Sequence, residues 1–66
     1  MKYYIVMHNK QLNRTLYKKN KCVDVWTPVK DYCWRFSKQG AKKIIERLEY
    51  GYRNNPAVEF YLEQAE

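Results

Sequence analysis

The feature that most limits the fold of this 66-residue chain is one apolar stripe with helical spacing. Its members recur at intervals of three and four residues, which places them on one face of an α-helix. They are Ala41, Ile44, Ile45, Leu48 and Tyr52. Ser37 is a suitable N-cap for this helix, and Gly51 followed by Asn54-Asn55-Pro56 ends it. It is the only helical stripe in the chain, so most other apolar residues must lie in strands.

Short segments that alternate between apolar and polar residues flank this helix. We predict strands over residues 3–8, 14–17, 22–26 and 58–63, with a turn over residues 18–21. Residues 32–36 also alternate, and they form either a short strand or an extended segment over the helix start. The order β-β-β-α-β predicts a single α+β domain over residues 1–66, in which an antiparallel sheet of three to four strands packs one helix on one face.

The same pattern assigns the core. We expect Ile44, Ile45 and Leu48 to pack against the sheet face that carries Ile5, Val25 and Phe60, which leaves the second face partly bare for a ligand. Four aromatic residues are predicted to be core, namely Trp26, Trp34, Phe36 and Phe60. Tyr4 and Tyr61 lie at polar-facing positions, so they are the candidates for stacking on bases.

The distribution of charge suggests the partner. Residues 1–53 hold all thirteen Lys and Arg but only four acids, whereas residues 54–66 hold three Glu and no base. Aromatic residues are interspersed among the bases. Because cations pair with phosphates and aromatic rings stack on bases, nucleic acid is the first partner to consider, with RNA favoured over duplex DNA since no recognition helix is evident.

Two groups of residues are predicted to bind nucleic acid. The first lies in and beside the turn after the second strand, and consists of Arg14, Tyr17, Lys18, Lys19 and Lys21. The second lies on the outer face of the helix and consists of Lys38 and Lys42, a basic pair one turn apart beside a second such pair, Lys43 and Arg47. Each group has a structural alternative, since the turn could serve solubility and the helix face could be ordinary solvated surface.

The sequence offers little for catalysis or metal binding. It has no nucleophile, phosphate-loop or paired-carboxylate motif, and its single histidine, His8, ends the first strand. We therefore predict no catalytic residues, no metal and no cofactor. No segment is long enough to span a membrane and no signal peptide is evident, so we expect a cytoplasmic protein in which Cys22 and Cys33 are reduced.

The stretch from Trp26 to Leu48, preceded by Lys2-Tyr3-Tyr4-Ile5-Val6, resembles many short phage-encoded accessory proteins. Those proteins open with a similar strand, carry a tryptophan in a hairpin and continue into an aromatic-Ser-x-x-x-Ala helix start. The resemblance implies a phage or prophage product that acts in the host cytoplasm by binding. Such products include inhibitors of host polymerases, nucleases and defence systems. A host protein is therefore the alternative partner, and a final strand at the sheet edge could pair with it or with a second copy.

Overall fold

The computed structural model describes residues 1–65. Strands β1 (Lys2–Asn9), β2 (Arg14–Lys18) and β3 (Trp26–Thr27) come first, helix α1 (Lys38–Gly51) follows, and strand β4 (Val58–Ala65) is last. The sheet order is β3-β2-β1-β4 and every pairing is antiparallel. The predicted α+β architecture is therefore confirmed, with β1 in the interior of the sheet and β4 at its edge.

Helix α1 packs on one face of this sheet and seals the main core. Side chains alternate along each strand, so Ile5, Met7 and Phe60 share the face that the helix covers. The buried members of this core are Ile5, Phe36, Ala41, Leu48 and Phe60, with Ile44 and Ile45 packed against them. The predicted contact of the helical stripe with Ile5 and Phe60 is confirmed.

The N-terminus of α1 has the predicted cap. Ser37 Oγ accepts a hydrogen bond from the backbone N–H of Gly40 at 3.2 Å. A Cβ atom at position 40 would lie 3.0 Å from that same oxygen, so glycine leaves room for the capping side chain. The helix ends at Gly51, where the sequence predicts its end.

The predicted third strand is much shorter than expected. Only Trp26 and Thr27 pair with β2, whereas residues 19–25 form a loop. Val25 lies 43% exposed and outside the core, so its assignment to the core was wrong. The chain leaves the strand path here because the Val23 carbonyl and the Asp24 carboxylate turn towards the Lys18 ammonium and accept hydrogen bonds from it.

The second sheet face is covered at one end by residues 28–35. A smaller cluster forms there, with Tyr4, Val6 and Ala65 buried and Tyr17 and Cys33 packed against them. Tyr4 is therefore not available for stacking, contrary to the prediction, whereas Tyr61 lies 43% exposed.

Tyr32 ends a short 3-10 helix (Lys30–Tyr32), and residues 33–36 are extended rather than a regular strand. Phe36 exchanges two backbone hydrogen bonds of 2.8 Å with Tyr3, which fills the side of β1 that β2 leaves free. Phe36 is buried as predicted, and Trp26 is half-buried against the core. Trp34 is 45% exposed, so its prediction as a core residue was wrong.

Candidate nucleic-acid interface

The central feature of the candidate interface is a buried lysine. Lys18 ends β2 on the helix face of the sheet, and its side chain is fully buried. Its ammonium donates to the carbonyl oxygen of Val23 at 2.8 Å and to Asp24 Oδ1 at 3.0 Å. The prediction that Lys18 projects from an exposed turn was therefore wrong, because a buried ammonium must be neutralised and hydrogen-bonded within the fold.

Asp24 connects this buried lysine to the helix. The Arg47 guanidinium donates to both carboxylate oxygens of Asp24, at 3.2 and 3.0 Å. Hydrogen bonds from Arg47 and then from Lys18 lower the pKa of Asp24 from 3.8 to about 2. The loop over residues 19–25 is consequently fixed to α1 by one acid that two bases share.

The rest of the loop is ordered by its own backbone and by an asparagine. The backbone N–H of Lys19 donates to Val25 O at 2.7 Å and closes the loop at its base. Asn20 Oδ1 accepts from the N–H groups of Cys22 and Val23, at 2.8 and 3.3 Å, in the manner of an Asx turn. Lys19 and Lys21 are thereby held on the surface with exposed side chains.

Trp34 lies beside this loop. Its backbone N–H donates to Lys18 O at 3.0 Å, which ties residues 33–36 to the end of β2. The ammonium of Lys21 lies 5.7 Å from the centroid of the indole ring, within the range of a cation–π contact. A half-exposed tryptophan and an exposed lysine thus share one patch, and they offer a stacking surface next to a phosphate-binding charge.

One flank of α1 continues the patch. Arg47 is hydrogen-bonded to Asp24, and Lys43 lies one turn earlier on the same side of the helix. Lys21 is three residues from Asp24, so the Cα atoms of these two residues lie within roughly 11 Å of each other. Lys21 is therefore close to the carboxylate that accepts hydrogen bonds from Arg47. We call Lys19, Lys21, Trp34, Lys43 and Arg47 the loop–helix surface.

The structure does not bring the predicted residues into one group. Lys38 and Lys42 are exposed, but they lie about 180° and 140° around the helix from Arg47. Arg14 is exposed at the opposite end of β2 from Lys18, roughly 13 Å away along the strand. The predicted crowding of bases at one turn was therefore wrong for Arg14 and Lys18, and it holds for Lys19 and Lys21.

Tyr17 also lies away from the loop–helix surface. It points to the second sheet face, where its ring meets Tyr4 edge-on at 6.2 Å between centroids. The ammonium of Lys30 lies 5.5 Å from the Tyr17 centroid and also pairs with Glu63. Tyr17 is thus a half-buried packing residue under Lys30 on the second sheet face, and it is not part of the surface that carries Lys19 and Lys21.

The sequence pattern did not place Trp34, Lys43 or Arg47 among the binding residues, although Lys43 and Arg47 form a basic i, i+4 pair. A tryptophan in an alternating segment is usually core, and Lys43 and Arg47 alternate with glutamates that suggested ordinary solvated surface. One signal was present, since Asp24 is the only acid between Lys2 and Lys30 and is therefore the local partner for a buried base.

The second face holds a cleft of about 430 Å³. Its lining carries charges of both signs, from Lys30, Arg35, Asp31 and Glu63. Hydrogen bonding to Glu63 is the main cause that raises the pKa of Lys30 above its ordinary value. Because its charges are mixed, this cleft suits a polyanion less well than the loop–helix surface does.

Within residues 1–65 no helix has the length and apolar character needed to cross a bilayer. In the same part of the chain, no three metal-ligating side chains come together. Comparison with protein-family models, with curated proteins and with solved structures finds no match for this chain.

Proposed function

We propose that this chain is a small basic, non-enzymatic protein that binds nucleic acid through the loop–helix surface, with single-stranded RNA the favoured ligand. The observation that carries the proposal is the half-exposed ring of Trp34 against the ammonium of Lys21. An indole of this size is normally buried in a chain with so small a core, so its exposure beside bases favours a stacking role.

The charges around Trp34 support the same function. Lys19, Lys21 and Lys43 form no ion pair within residues 1–65, so their charge is available to phosphates. Asp24 is already shared between two bases and does not offset these three. Binding would therefore release counterions without breaking a salt bridge of the fold.

The ordered loop adds to this argument. Lys18, Asn20 and Asp24 hold the loop through side-chain hydrogen bonds, so Lys19 and Lys21 are presented with little backbone freedom. A surface that is already ordered loses less conformational entropy when it binds a ligand. Single strands are favoured because an indole can stack on an unpaired base, whereas the bases of a duplex are stacked on each other.

The test is a salt series of RNA binding. We expect the double variant Lys19→Gln, Lys21→Gln to bind a labelled single-stranded RNA more weakly than the parent between about 50 and 200 mM salt. For two lost phosphate contacts the slope of log K against log salt should become less negative by roughly 1.4. Fluorescence anisotropy measures both quantities. Lys18 is left unchanged, because its buried ammonium belongs to the fold.

The matched control is the double variant Lys38→Gln, Lys42→Gln, which removes the same charge from another flank of the helix. It should bind RNA with nearly the slope of the parent. Equal losses in the two double variants would show that binding follows net charge and would contradict a local interface. Trp34→Ala should weaken binding to single strands and Trp34→Phe should restore much of it, since phenylalanine keeps a stacking ring.

The alternative function, a protein-binding inhibitor of a host enzyme or defence system, has one supporting observation. Strand β4 lies at the sheet edge, where an added strand of a partner could pair with it. Such binding would change little with salt if the interface were mostly apolar. A phage or prophage setting is proposed on the resemblance of the chain alone.

A further inference from the structure

The outer side of β4 has backbone groups that no other part of the described chain satisfies. Lys10 N–H donates to Ala57 O at 2.7 Å, just beyond the Asn9–Val58 pair, and this sets the alternation of the β1–β4 ladder. Residues 59, 61, 63 and 65 therefore direct their N–H and C=O groups to β1. Residues 60, 62 and 64 direct theirs outward, and within residues 1–65 they have no backbone partner there.

A second part of the sheet confirms this alternation. Tyr3 exchanges hydrogen bonds with Phe36 on the side of β1 away from β4. Odd-numbered residues of β1 therefore face away from β4 and even-numbered residues face it, which agrees with the assignment from Lys10. Three consecutive outward positions, Phe60, Leu62 and Gln64, thus form an open row of donors and acceptors.

The edge lacks the usual features that prevent strand addition. Strand β4 is eight residues long and contains no lysine and no proline. Its two acids within the described strand each have a base of the chain beside them, Glu59 with Lys10 at 3.5 Å and Glu63 with Lys30. These partly exposed pairs reduce the charge of the edge without removing it, so carboxylates directly opposite each other would still repel.

We propose that β4 pairs antiparallel with β4 of a second copy of this chain, about a twofold axis at Leu62. In this register Leu62 lies opposite Leu62 of the second copy and Phe60 lies opposite Gln64, so all three outward positions form hydrogen bonds. Tyr61 lies opposite Glu63, and its hydroxyl can donate to that carboxylate. The dimer would hold one continuous eight-stranded sheet.

Neighbouring registers are less favourable. A twofold axis at Tyr61 places Glu59 opposite Glu63 twice, and like charges directly opposite each other are destabilising. An axis at Phe60 places Gln64 opposite Pro56, which has no N–H to donate to the Gln64 carbonyl oxygen. Self-pairing at Leu62 alone satisfies the open row without opposing two acids.

The dimer also leaves the proposed nucleic-acid surface free. Trp34 and the bases around it lie on the loop beside β2 and on one helix flank, whereas β4 is at the other edge of the sheet. This proposal does not depend on the proposed function, because it rests on the hydrogen-bonding pattern of β4 alone.

The test combines oligomeric state with cross-linking. Sedimentation velocity over a concentration series should show a monomer–dimer equilibrium of the full chain. Two variants, Tyr61→Cys and Glu63→Cys, are then made separately in a Cys22→Ser, Cys33→Ser background and mixed under oxidising glutathione. Opposed positions on antiparallel strands fall in the Cα range that a disulfide spans, so the mixture should yield mainly the 61–63 heterodimer.

The control mixture is Glu59→Cys with Tyr61→Cys, whose positions oppose each other only when the axis lies at Phe60. It should cross-link much less than the first mixture, and circular dichroism should confirm that every variant is folded. A protein that stays monomeric throughout the series would overturn the proposal. Stronger cross-linking in the control mixture would overturn the register.

Discussion

The bond between Asp24 and Lys18 gives the sharpest test of the loop that carries the candidate interface. Asp24→Asn keeps the size of the side chain but removes its charge. Lys18, which is fully buried, would then hold an ammonium that has lost its acid, since Asp24 is its single ion-pair partner within residues 1–65. The Arg47 guanidinium would lose the same carboxylate at 3.0 and 3.2 Å.

The pKa of Asp24 sets the size of the effect. A shift from 3.8 to about 2 corresponds to an upper limit of roughly 2.5 kcal/mol in the free energy of unfolding. The Asp24 side chain is 41% exposed, so solvent screening reduces this value. We expect Asp24→Asn to lower the free energy of unfolding at pH 7 by about 1–2 kcal/mol.

The effect should depend on pH in a defined direction. Because folding depresses the pKa of Asp24, its stabilisation is complete above about pH 4 and is lost as the pH falls towards 2. Urea unfolding at several pH values should therefore show a difference between parent and variant that shrinks over this window. Both proteins should converge when the carboxyl group of the parent is protonated.

Repeating Asp24→Asn in a protein that already carries Lys18→Met separates the loss of the Lys18–Asp24 ion pair from a general effect on the loop. Lys18→Met replaces the buried ammonium with an apolar side chain of similar length, so Asp24→Asn should cost less in that background. An equal loss in both backgrounds, or no loss at pH 7, would refute the role assigned to the buried pair.

Two further predictions concern the core and the thiols. Leu48→Ala should lower the free energy of unfolding by about 2–5 kcal/mol in a denaturant titration, because Leu48 is buried at the centre of the helix–sheet contact. The control Tyr50→Ala, on the exposed side of the helix, should change the free energy of unfolding by less than about 0.5 kcal/mol. Mass spectrometry during alkylation should show Cys22 modified before Cys33, because Cys22 is exposed while burial raises the pKa of Cys33; simultaneous modification would contradict the packing of residues 28–35.

The parts of the fold that the sequence predicts are those where one periodicity dominates. The stripe from Ala41 to Leu48 has the helical period, and Ser37 and Gly51 mark both ends, so the helix was assigned correctly. Strand β4 alternates cleanly after Pro56, and the structure extends it by two residues beyond the predicted end. Local pattern and tertiary packing require the same structure in these segments.

Residues 22–26 show where periodicity fails. They alternate like a strand, yet a strand there would have had to leave the Lys18 ammonium buried without an acid. The structure resolves this conflict by turning Val23 and Asp24 towards Lys18, and β3 shrinks to Trp26 and Thr27. The free energy of one buried charge exceeds the small strand propensity of a few residues.

The burial of Lys18 also explains why the candidate interface differs from the predicted one. Counting bases along the sequence treats Lys18, Lys19 and Lys21 as equivalent, but the twofold alternation of β2 sends Lys18 into the core. Its acid also binds Arg47 and so holds the loop to one helix flank, and Lys21 of the same loop lies beside the ring of Trp34. The grouping of residues in the candidate interface thus depends on the hydrogen bonds of one buried lysine, a tertiary pairing that no spacing in the sequence encodes.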